Sequence, residues 1–214
     1  EETLSILTLV GQGGVGKTRL ALAVAHQLRT QAHTFFPDGI WFVPLAGIAA
    51  NATATQGIAG AIAQAMGLSL SGADALSTQL TRALQEQRLL LILDNFEHLV
   101  AEQPFLLEVV QMAQQVKILV TSREQLHLHA EFLYPVAGLS VPLARDLQPE
   151  EQTGHRREQP GHRPVMELGQ YASVQLFTLR VQQRLPEFHL TVQNQQKIGH
   201  ICYLLGGVPL GIEL

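Results

Sequence analysis

The sequence predicts an α/β fold in which five mainly parallel strands form a sheet flanked by helices, followed by a small helical subdomain. Short runs of Leu, Ile and Val alternate with segments of helical period, a pattern typical of parallel strands buried on both faces. The chain has 214 residues, of which 46% are hydrophobic and 15% charged, as in folded globular domains. After residue 169 only helical periods remain.

Apolar runs place the predicted strands at Leu4–Val10, Ile40–Val43, Leu89–Leu93, Val116–Thr121 and Phe132–Val136. Four helices are predicted between them: one begins at Lys17, one carries Ile58, Ile62 and Met66 on one face, one spans Leu76–Leu84, and one begins near Pro104. Proline suits the first turn of a helix. Trp41 and Phe42 should lie on opposite faces of the second strand, because side chains alternate along a strand.

The composition divides the chain into residues 1–143, 144–169 and 170–214. The middle part is polar, and residues 150–164 contain no strongly apolar side chain, which predicts a flexible linker. Arg156 and Arg157 stand among acidic neighbours there, which favours a solvated loop over a docking patch. The last part repeats helically at Val174, Phe177, Val181 and Leu185, and again around Ile198 and Cys202 up to a helix end at Gly206. We interpret it as the truncated start of a helical subdomain, with Cys202 in its core.

Charge and cysteine content exclude several classes of protein. A formal charge of -4 argues against direct nucleic-acid binding by these residues. No apolar run approaches the roughly 18 residues of a membrane span. One cysteine indicates a reducing compartment, and we expect a cytoplasmic protein. The chain lacks an initiator Met and ends directly after an apolar turn, so we expect it to be part of a longer protein.

Residues 11–18 carry the clearest chemical signal. They are Gly-Gln-Gly-Gly-Val-Gly-Lys-Thr, a full match to the phosphate-loop pattern between a predicted strand and a predicted helix. Glycine allows positive φ angles and lets backbone N–H groups approach phosphate oxygens. Lys17 supplies a cation for the β- and γ-phosphates, and the Thr18 hydroxyl can bind Mg²⁺. The alternative is a glycine-rich turn that only packs a helix on a sheet.

Asp94 ends the third predicted strand, at the sheet edge where ligands of open α/β sheets bind. There its carboxylate can hold the Mg²⁺ hydration shell opposite Thr18, although an ordinary helix cap would show the same pattern. In many proteins with a phosphate loop a second acid directly follows this aspartate and orients the attacking water, but here that position is Asn95, whose amide cannot accept a proton as a carboxylate can. We therefore expect slow hydrolysis. Glu97 could substitute, or could be a surface glutamate at a helix start.

The fourth predicted strand ends in Val-Thr-Ser-Arg (120–123). If this strand lies beside the phosphate-loop strand, Thr121 and Arg123 project toward the γ-phosphate and can detect it by hydrogen bond or charge. A surface arginine at the start of a loop is the alternative for Arg123.

These motifs together resemble the nucleotide-binding core of STAND-class P-loop ATPases of the NB-ARC type, in the branch of bacterial transcriptional regulators. The resemblance spans nearly the whole chain and is carried by residues 13–21 (Gly-Gly-Val-Gly-Lys-Thr-Arg-Leu-Ala), 93–99 (Leu-Asp-Asn-Phe-Glu-His-Leu), 120–124 (Val-Thr-Ser-Arg-Glu), 174–177 (Val-Gln-Leu-Phe) and 206–214 (Gly-Gly-Val-Pro-Leu-Gly-Ile-Glu-Leu). Gly211 replaces the alanine usual in the last motif.

The resemblance implies a set of roles for these residues. Lys17, Asp94 and Arg123 would serve hydrolysis and γ-phosphate sensing, and Thr18 and Asp94 would hold Mg²⁺. The implied nucleotide-binding residues are Gly11, Gly13, Gly14, Val15, Gly16, Lys17, Thr18, Arg19 and, near adenine, Pro209. In this family ADP holds a closed, inactive form, and exchange for ATP upon a signal opens it for oligomerisation. The family's winged-helix domain, whose histidine contacts ADP, is not among these residues.

The leading hypothesis is therefore an ATP/ADP switch that controls an effector. A P-loop kinase and a non-hydrolysing scaffold that retains ADP are the alternatives; a kinase usually needs a basic lid, and the arginine cluster here lies in the acidic linker. Of the nine histidines only His127 and His129 stand close together, with no cysteine beside them, which favours a loop or strand-edge role over a metal site.

Overall fold

The computed structural model describes residues 5–30, 32–129, 131–147 and 168–214. Within them, five strands form one sheet in the order β2-β3-β4-β1-β5, and each pair of neighbours is parallel. The strands are β1 (Ile6–Val10), β2 (Ile40–Pro44), β3 (Leu90–Asp94), β4 (Lys117–Ser122) and β5 (Glu131–Pro135). The predicted fold class is confirmed, and the strand bounds differ from prediction by one or two residues.

Helices cover the two faces of the sheet. They are α1 (Lys17–Arg29), α2 (Ala32–Phe35), α3 (Ala54–Met66), α4 (Leu76–Leu84) and α5 (Gln103–Met112). Residues of α3, α4 and α5 pack with Leu91 and Leu93 of β3 in the larger core. Leu90 and Ile92 of the same strand face the opposite way and pack with Ala21 of α1. Burial on both faces explains why β3 is apolar without alternation.

Trp41 and Phe42 show the same alternation in β2. Trp41 packs against the larger core, whereas Phe42 packs against the α1 side, as the strand period predicts. The phosphate-loop strand β1 lies between β4 and β5, so its carboxyl end is flanked by the ends of two other strands.

The contacts of the chain divide it into two units, Glu1–Gly13 with Lys17–Val136, and Gly14–Gly16 with Ala137–Leu214. The second unit contains α6 (Ala172–Gln182), α7 (Gln195–Leu204) and α8 (Pro209–Glu213). Its small core is formed by Val174, Ile198 and Cys202, with Phe177 packed against it. Burial raises the pKa of the Cys202 thiol above its ordinary value, although its hydrogen bond with Ser173 acts in the opposite direction.

The end of α6 and the segment before it bear on two of the sequence predictions. Leu185 was expected on the apolar face of α6, but α6 ends at Gln182 and Leu185 is 61% exposed, because the chain leaves the helix before Pro186. Of the predicted linker, residues 148–167, with Arg156 and Arg157, lie outside the described residues. Its described ends contain short 3-10 helices, Ala144–Asp146 and Leu168–Gln170. The proposed domain boundaries stay predictions.

None of the helices in the described residues is both long and apolar enough to cross a membrane.

Candidate nucleotide site

Residues 11–16 connect the carboxyl end of β1 to the start of α1 at Lys17. Gly14 has φ 78° and Gly16 has φ 104°, a region that residues with a Cβ atom rarely adopt. A Cβ atom on Gly16 would meet nothing within 4 Å. The glycine at position 16 is therefore needed for the path of the backbone, and it keeps the space beside the loop open for a ligand.

Lys17 is bound to the phosphate loop itself. Its Nζ donates to the backbone carbonyls of Gly11 at 2.6 Å and Gln12 at 3.1 Å, which leaves one of its three donors. Burial lowers the pKa of Lys17; among the smaller effects, the negative charge of Glu97 raises it, Arg123 lowers it and Asp94 raises it. A partly desolvated ammonium of this kind fits a phosphate group, whose charge would replace lost hydration.

The carboxylate of Asp94 accepts hydrogen bonds from two hydroxyl groups. Thr18 Oγ1 donates to Asp94 Oδ1 at 2.6 Å and Thr121 Oγ1 donates to the same oxygen at 2.7 Å. The register Leu93↔Val120 places the ends of β3 and β4 side by side. The sequence predicts Thr121 at the γ-phosphate, but its hydroxyl donates to Asp94 and accepts a hydrogen bond from the N–H of Asn95 at 2.9 Å.

This pair of oxygen ligands fits Mg²⁺. Thr18 and Asp94 present a hydroxyl and a carboxylate oxygen within 2.6 Å of each other, and magnesium usually takes one or two protein oxygens together with phosphate oxygens and waters. No cluster of three or more His, Cys, Asp or Glu side chains in the described part of the chain could form an all-protein metal cage, and that includes His127 and His129.

Glu97 and Arg123 form an ion pair, with Arg123 Nε 2.9 Å from Glu97 Oε1. Arg123 extends over the phosphate loop, since a Cβ atom on Gly13 would lie 3.5 Å from its Cζ and Nη2 atoms. The Glu97 side chain is only 17% exposed, so it is not the surface glutamate that the sequence left open. The effect of Glu97 on the pKa of Lys17 also places its charge near the loop.

The remaining predicted site residues lie in the phosphate loop and at the first turns of α1 and α8. Val15 is buried, whereas Arg19 is exposed in the first turn of α1. Pro209 is the first residue of α8 in the second unit, a position that its fixed φ angle favours. Their predicted contacts with nucleotide stay predictions.

Comparison with known proteins identifies relatives of this chain. Residues 1–128 match the AAA domain family. Over 209 residues the chain is 31% identical to a protein of Mycobacterium tuberculosis (strain ATCC 25618 / H37Rv) named as an HTH-type transcriptional regulator, Rv0890c; the match covers 97% of this chain and 19% of that protein. It is 35% identical over 96 residues to the regulatory protein AfsR of Streptomyces griseus, covering 43% of this chain and 9% of that protein. The chain thus spans about a fifth of the length of the first of these relatives.

Two solved structures share the fold. The Aeropyrum pernix ORC2 protein, determined in ADPNP–ADP complexes, superposes with a TM-score of 0.50 at 16% identity, covering 97% of this chain and 53% of that one. PCH-2 of C. elegans gives 0.52 at 15% identity, covering 97% and 53%. At these identities the likeness concerns the fold alone. The parallel sheet, the phosphate loop between β1 and α1, and a family match over residues 1–128 together show that the chain belongs to the AAA domain family of P-loop ATPases.

Proposed function

We propose that this chain is the ATP/ADP-binding switch module of a STAND-class, NB-ARC-type ATPase that controls an effector in transcription regulation. The observation that carries the proposal is the placement of Lys17, Thr18 and Asp94. Their side chains form one polar cluster at the carboxyl ends of β1 and β3. In an open α/β sheet this edge is where ligands bind.

Each side chain has a separate task in this proposal. Lys17 binds the β- and γ-phosphates, assisted by backbone N–H groups of residues 13–18. Thr18 and Asp94 hold Mg²⁺, which when bound reduces the negative charge on the phosphate oxygens. Thr121 orients the carboxylate of Asp94 through its 2.7 Å hydrogen bond.

Hydrolysis is proposed to be slow and the resting state to contain ADP. The amide of Asn95 stands where many ATPases have a carboxylate, and an amide cannot take a proton from water. A steady-state ATPase assay is expected to give a kcat well below about ten per second, which is the median kcat of enzymes. Tens of turnovers per second would contradict the proposal.

The wider role follows from the relatives. Rv0890c and AfsR carry names of regulators, which supports a cytoplasmic signalling protein in which winged-helix and sensor domains accompany this module. ATP-bound copies would form a homo-oligomer, and the charge of -4 supports an effector domain elsewhere as the part that binds nucleic acid.

A scaffold that retains ADP without hydrolysing ATP is the second candidate, and Asn95 is the observation that favours it. Rates of ADP exchange and of ATP hydrolysis distinguish the two: a switch must reload ATP, whereas a scaffold releases ADP only on unfolding. A P-loop kinase has less support, because the described arginine over the phosphate loop, Arg123, is paired with Glu97.

Lys17→Ala tests the proposed site directly. Removing the ammonium should lower ADP affinity by at least about 100-fold, because a partly buried charge-assisted contact is worth roughly 2–3 kcal/mol or more. Isothermal titration calorimetry with Mg²⁺-ADP measures it. Lys197→Ala, which removes an exposed lysine of α7, is the matched control and should bind as the unaltered protein does. Equal ADP affinity in both variants would remove Lys17 from the site.

A further inference from the structure

We propose that a cavity on the α1 face of the sheet binds a medium-chain aliphatic carboxylate, with the acyl chain along β1 and β4 and the carboxylate on Lys117. The cavity, here called the α1-face cavity, has a volume of about 410 Å³, within the range of small-molecule sites. The described residues that line it include none of residues 11–18. The site is therefore separate from the phosphate loop, and its ligand can be tested without nucleotide.

Apolar side chains from the sheet and from one helix enclose this cavity. Leu7 of β1 pairs with Leu119 of β4, and Leu9 of β1 pairs with Tyr134 of β5, so all four point to the same face. The wall is formed by three residues of α1 at a spacing of four, which share one side of the helix: Leu20, Val24 and Leu28. The interior thus presents hydrocarbon to a ligand.

The two faces of the sheet are not equally covered. Leu91 and Leu93 of β3 are fully buried on the face that packs against the larger core. On the α1 face Leu7 is only partly buried, and Val24 and Tyr134 are 36% and 54% exposed. Parallel sheets are normally covered on both faces. A ligand in the cavity would remove these apolar side chains from water, which is the main driving force for its binding.

The size and polarity of the cavity favour a hydrocarbon chain over a peptide. A three-turn helix about 10 Å across and 16 Å long fills roughly 1,200 Å³, about three times the volume available. An extended peptide would bring backbone N–H and C=O groups without partners into apolar surroundings, because β1 is already paired on both sides, with β4 and with β5. A single unbranched acyl chain satisfies both limits.

Lys117 supplies a cation at one end of the cavity. It is the first residue of β4 and lines the cavity. Its ammonium forms no ion pair with the other described residues, where the basic partners are Arg82, Arg123, Arg145 and Arg180. An anionic group on the ligand would therefore be the counterion of Lys117, in a charge-assisted contact.

The distance between the two ends of the cavity sets the length of the chain. Lys117 lies opposite Ser5, since the N–H of the next residue, Ile118, donates to the Ser5 carbonyl, and Tyr134 lies opposite Leu9. Four residues of a parallel strand span about 13 Å. Carbon–carbon bonds of about 1.5 Å advance an extended chain by roughly 1.25 Å each. A carboxylate of about ten carbons fits this span.

Isothermal titration calorimetry of the chain with hexanoate, octanoate, decanoate and dodecanoate, below micelle-forming concentrations, tests the ligand class. Each methylene up to decanoate should lower the Kd about fourfold, as burial of one methylene predicts, and dodecanoate should bind no tighter than decanoate. Lys117→Met keeps the apolar stem and removes the charge. It should raise the Kd of octanoate about fivefold or more and leave that of octan-1-ol unchanged.

Val24→Trp fills the cavity from its rim and should weaken every ligand by at least about tenfold, the loss of two buried methylenes. Leu22→Trp is the matched control, since Leu22 is a 44% exposed residue of the same helix outside the cavity lining; circular dichroism verifies that both variants fold. No binding of any carboxylate, a Kd independent of chain length, or unchanged decanoate binding in Val24→Trp would overturn the site. Equal effects of Lys117→Met on octanoate and octan-1-ol would overturn the carboxylate assignment.

Discussion

Two buried threonines in neighbouring strands show what a single residue contributes. Thr8 of β1 and Thr121 of β4 are 0% and 1% exposed. The Thr121 hydroxyl donates to Asp94 and accepts from the Asn95 N–H. The Thr8 hydroxyl has no hydrogen-bond partner in the part of the chain that the structure describes. In the sequence both are threonines in apolar runs, so only the pairing of the strands distinguishes them.

Replacing each threonine by valine should therefore have opposite effects. Thr121→Val leaves the Asn95 N–H without its acceptor and removes one of the two hydroxyl donors to Asp94, and should lower the free energy of unfolding by about 1–3 kcal/mol. Thr8→Val removes an unsatisfied hydroxyl at nearly constant shape and should leave that free energy unchanged or raise it by up to about 1 kcal/mol. Urea unfolding monitored by circular dichroism measures both; equal losses would contradict the assigned hydrogen bonds.

Residue roles were only partly predictable. The phosphate-loop pattern identified Lys17 and Thr18 because the spacing of that motif reflects a local backbone requirement. The position of Glu97 depended on the left-handed turn at Asn95 and on the burial of Phe96. The signal available in the sequence was the apolar Phe96 between Asn95 and Glu97. When Phe96 is buried in the core, the next side chain, Glu97, is directed toward the sheet edge.

At the scale of elements, the C-terminal end of α7 shows how two adjacent glycines differ. The N–H of Gly206 donates to the Tyr203 carbonyl and that of Gly207 to the Cys202 carbonyl at 3.2 Å, with φ angles of 59° and 67°. A Cβ atom on Gly206 would meet nothing within 4 Å, whereas one on Gly207 would lie 2.1 Å from the Leu139 carbonyl oxygen. The sequence predicts the helix end here, but it does not reveal this close approach of Leu139.

Substituting alanine at each position tests the difference. Gly206→Ala should cost about 1 kcal/mol, the strain of a left-handed residue. Gly207→Ala adds a contact with backbone that must move, an overpacking effect of roughly 1–3 kcal/mol, and should cost about 2–4 kcal/mol in total. Differential scanning calorimetry gives the two changes in Tm. A smaller loss for Gly207→Ala than for Gly206→Ala would contradict the described path of residues 138–141.

Element types and starts were largely predictable. All five strands and the helix beginning at Lys17 occur where apolar runs and helical period place them, because those patterns report burial directly. The prediction for Leu185 was wrong: the helical spacing of apolar residues continued past Gln182, where α6 ends, and periodicity alone does not detect Pro186, four residues after that end.

At the scale of the whole molecule, a ligand that binds only the folded chain must stabilise it. ADP with Mg²⁺ at about 100 times its Kd should raise the free energy of unfolding by about 2.7 kcal/mol. For a chain of this size that corresponds to an increase in Tm of roughly 5–10 °C. Thermal unfolding with and without ADP measures the shift. Lys17→Ala should abolish it and Lys197→Ala should retain it; an equal shift in both would mean that ADP binds elsewhere.

The sequence by itself determined the α/β class, the phosphate loop and the acidic strand end, because each follows from local spacing and from which side chains avoid water. The tertiary structure decided the rest: that Thr121 supports Asp94, that Glu97 pairs with Arg123, and that the Thr8 hydroxyl has no hydrogen-bond partner within the described residues. These contacts join residues far apart in the chain. They depend on strand order and on one left-handed backbone turn, which no short segment encodes alone.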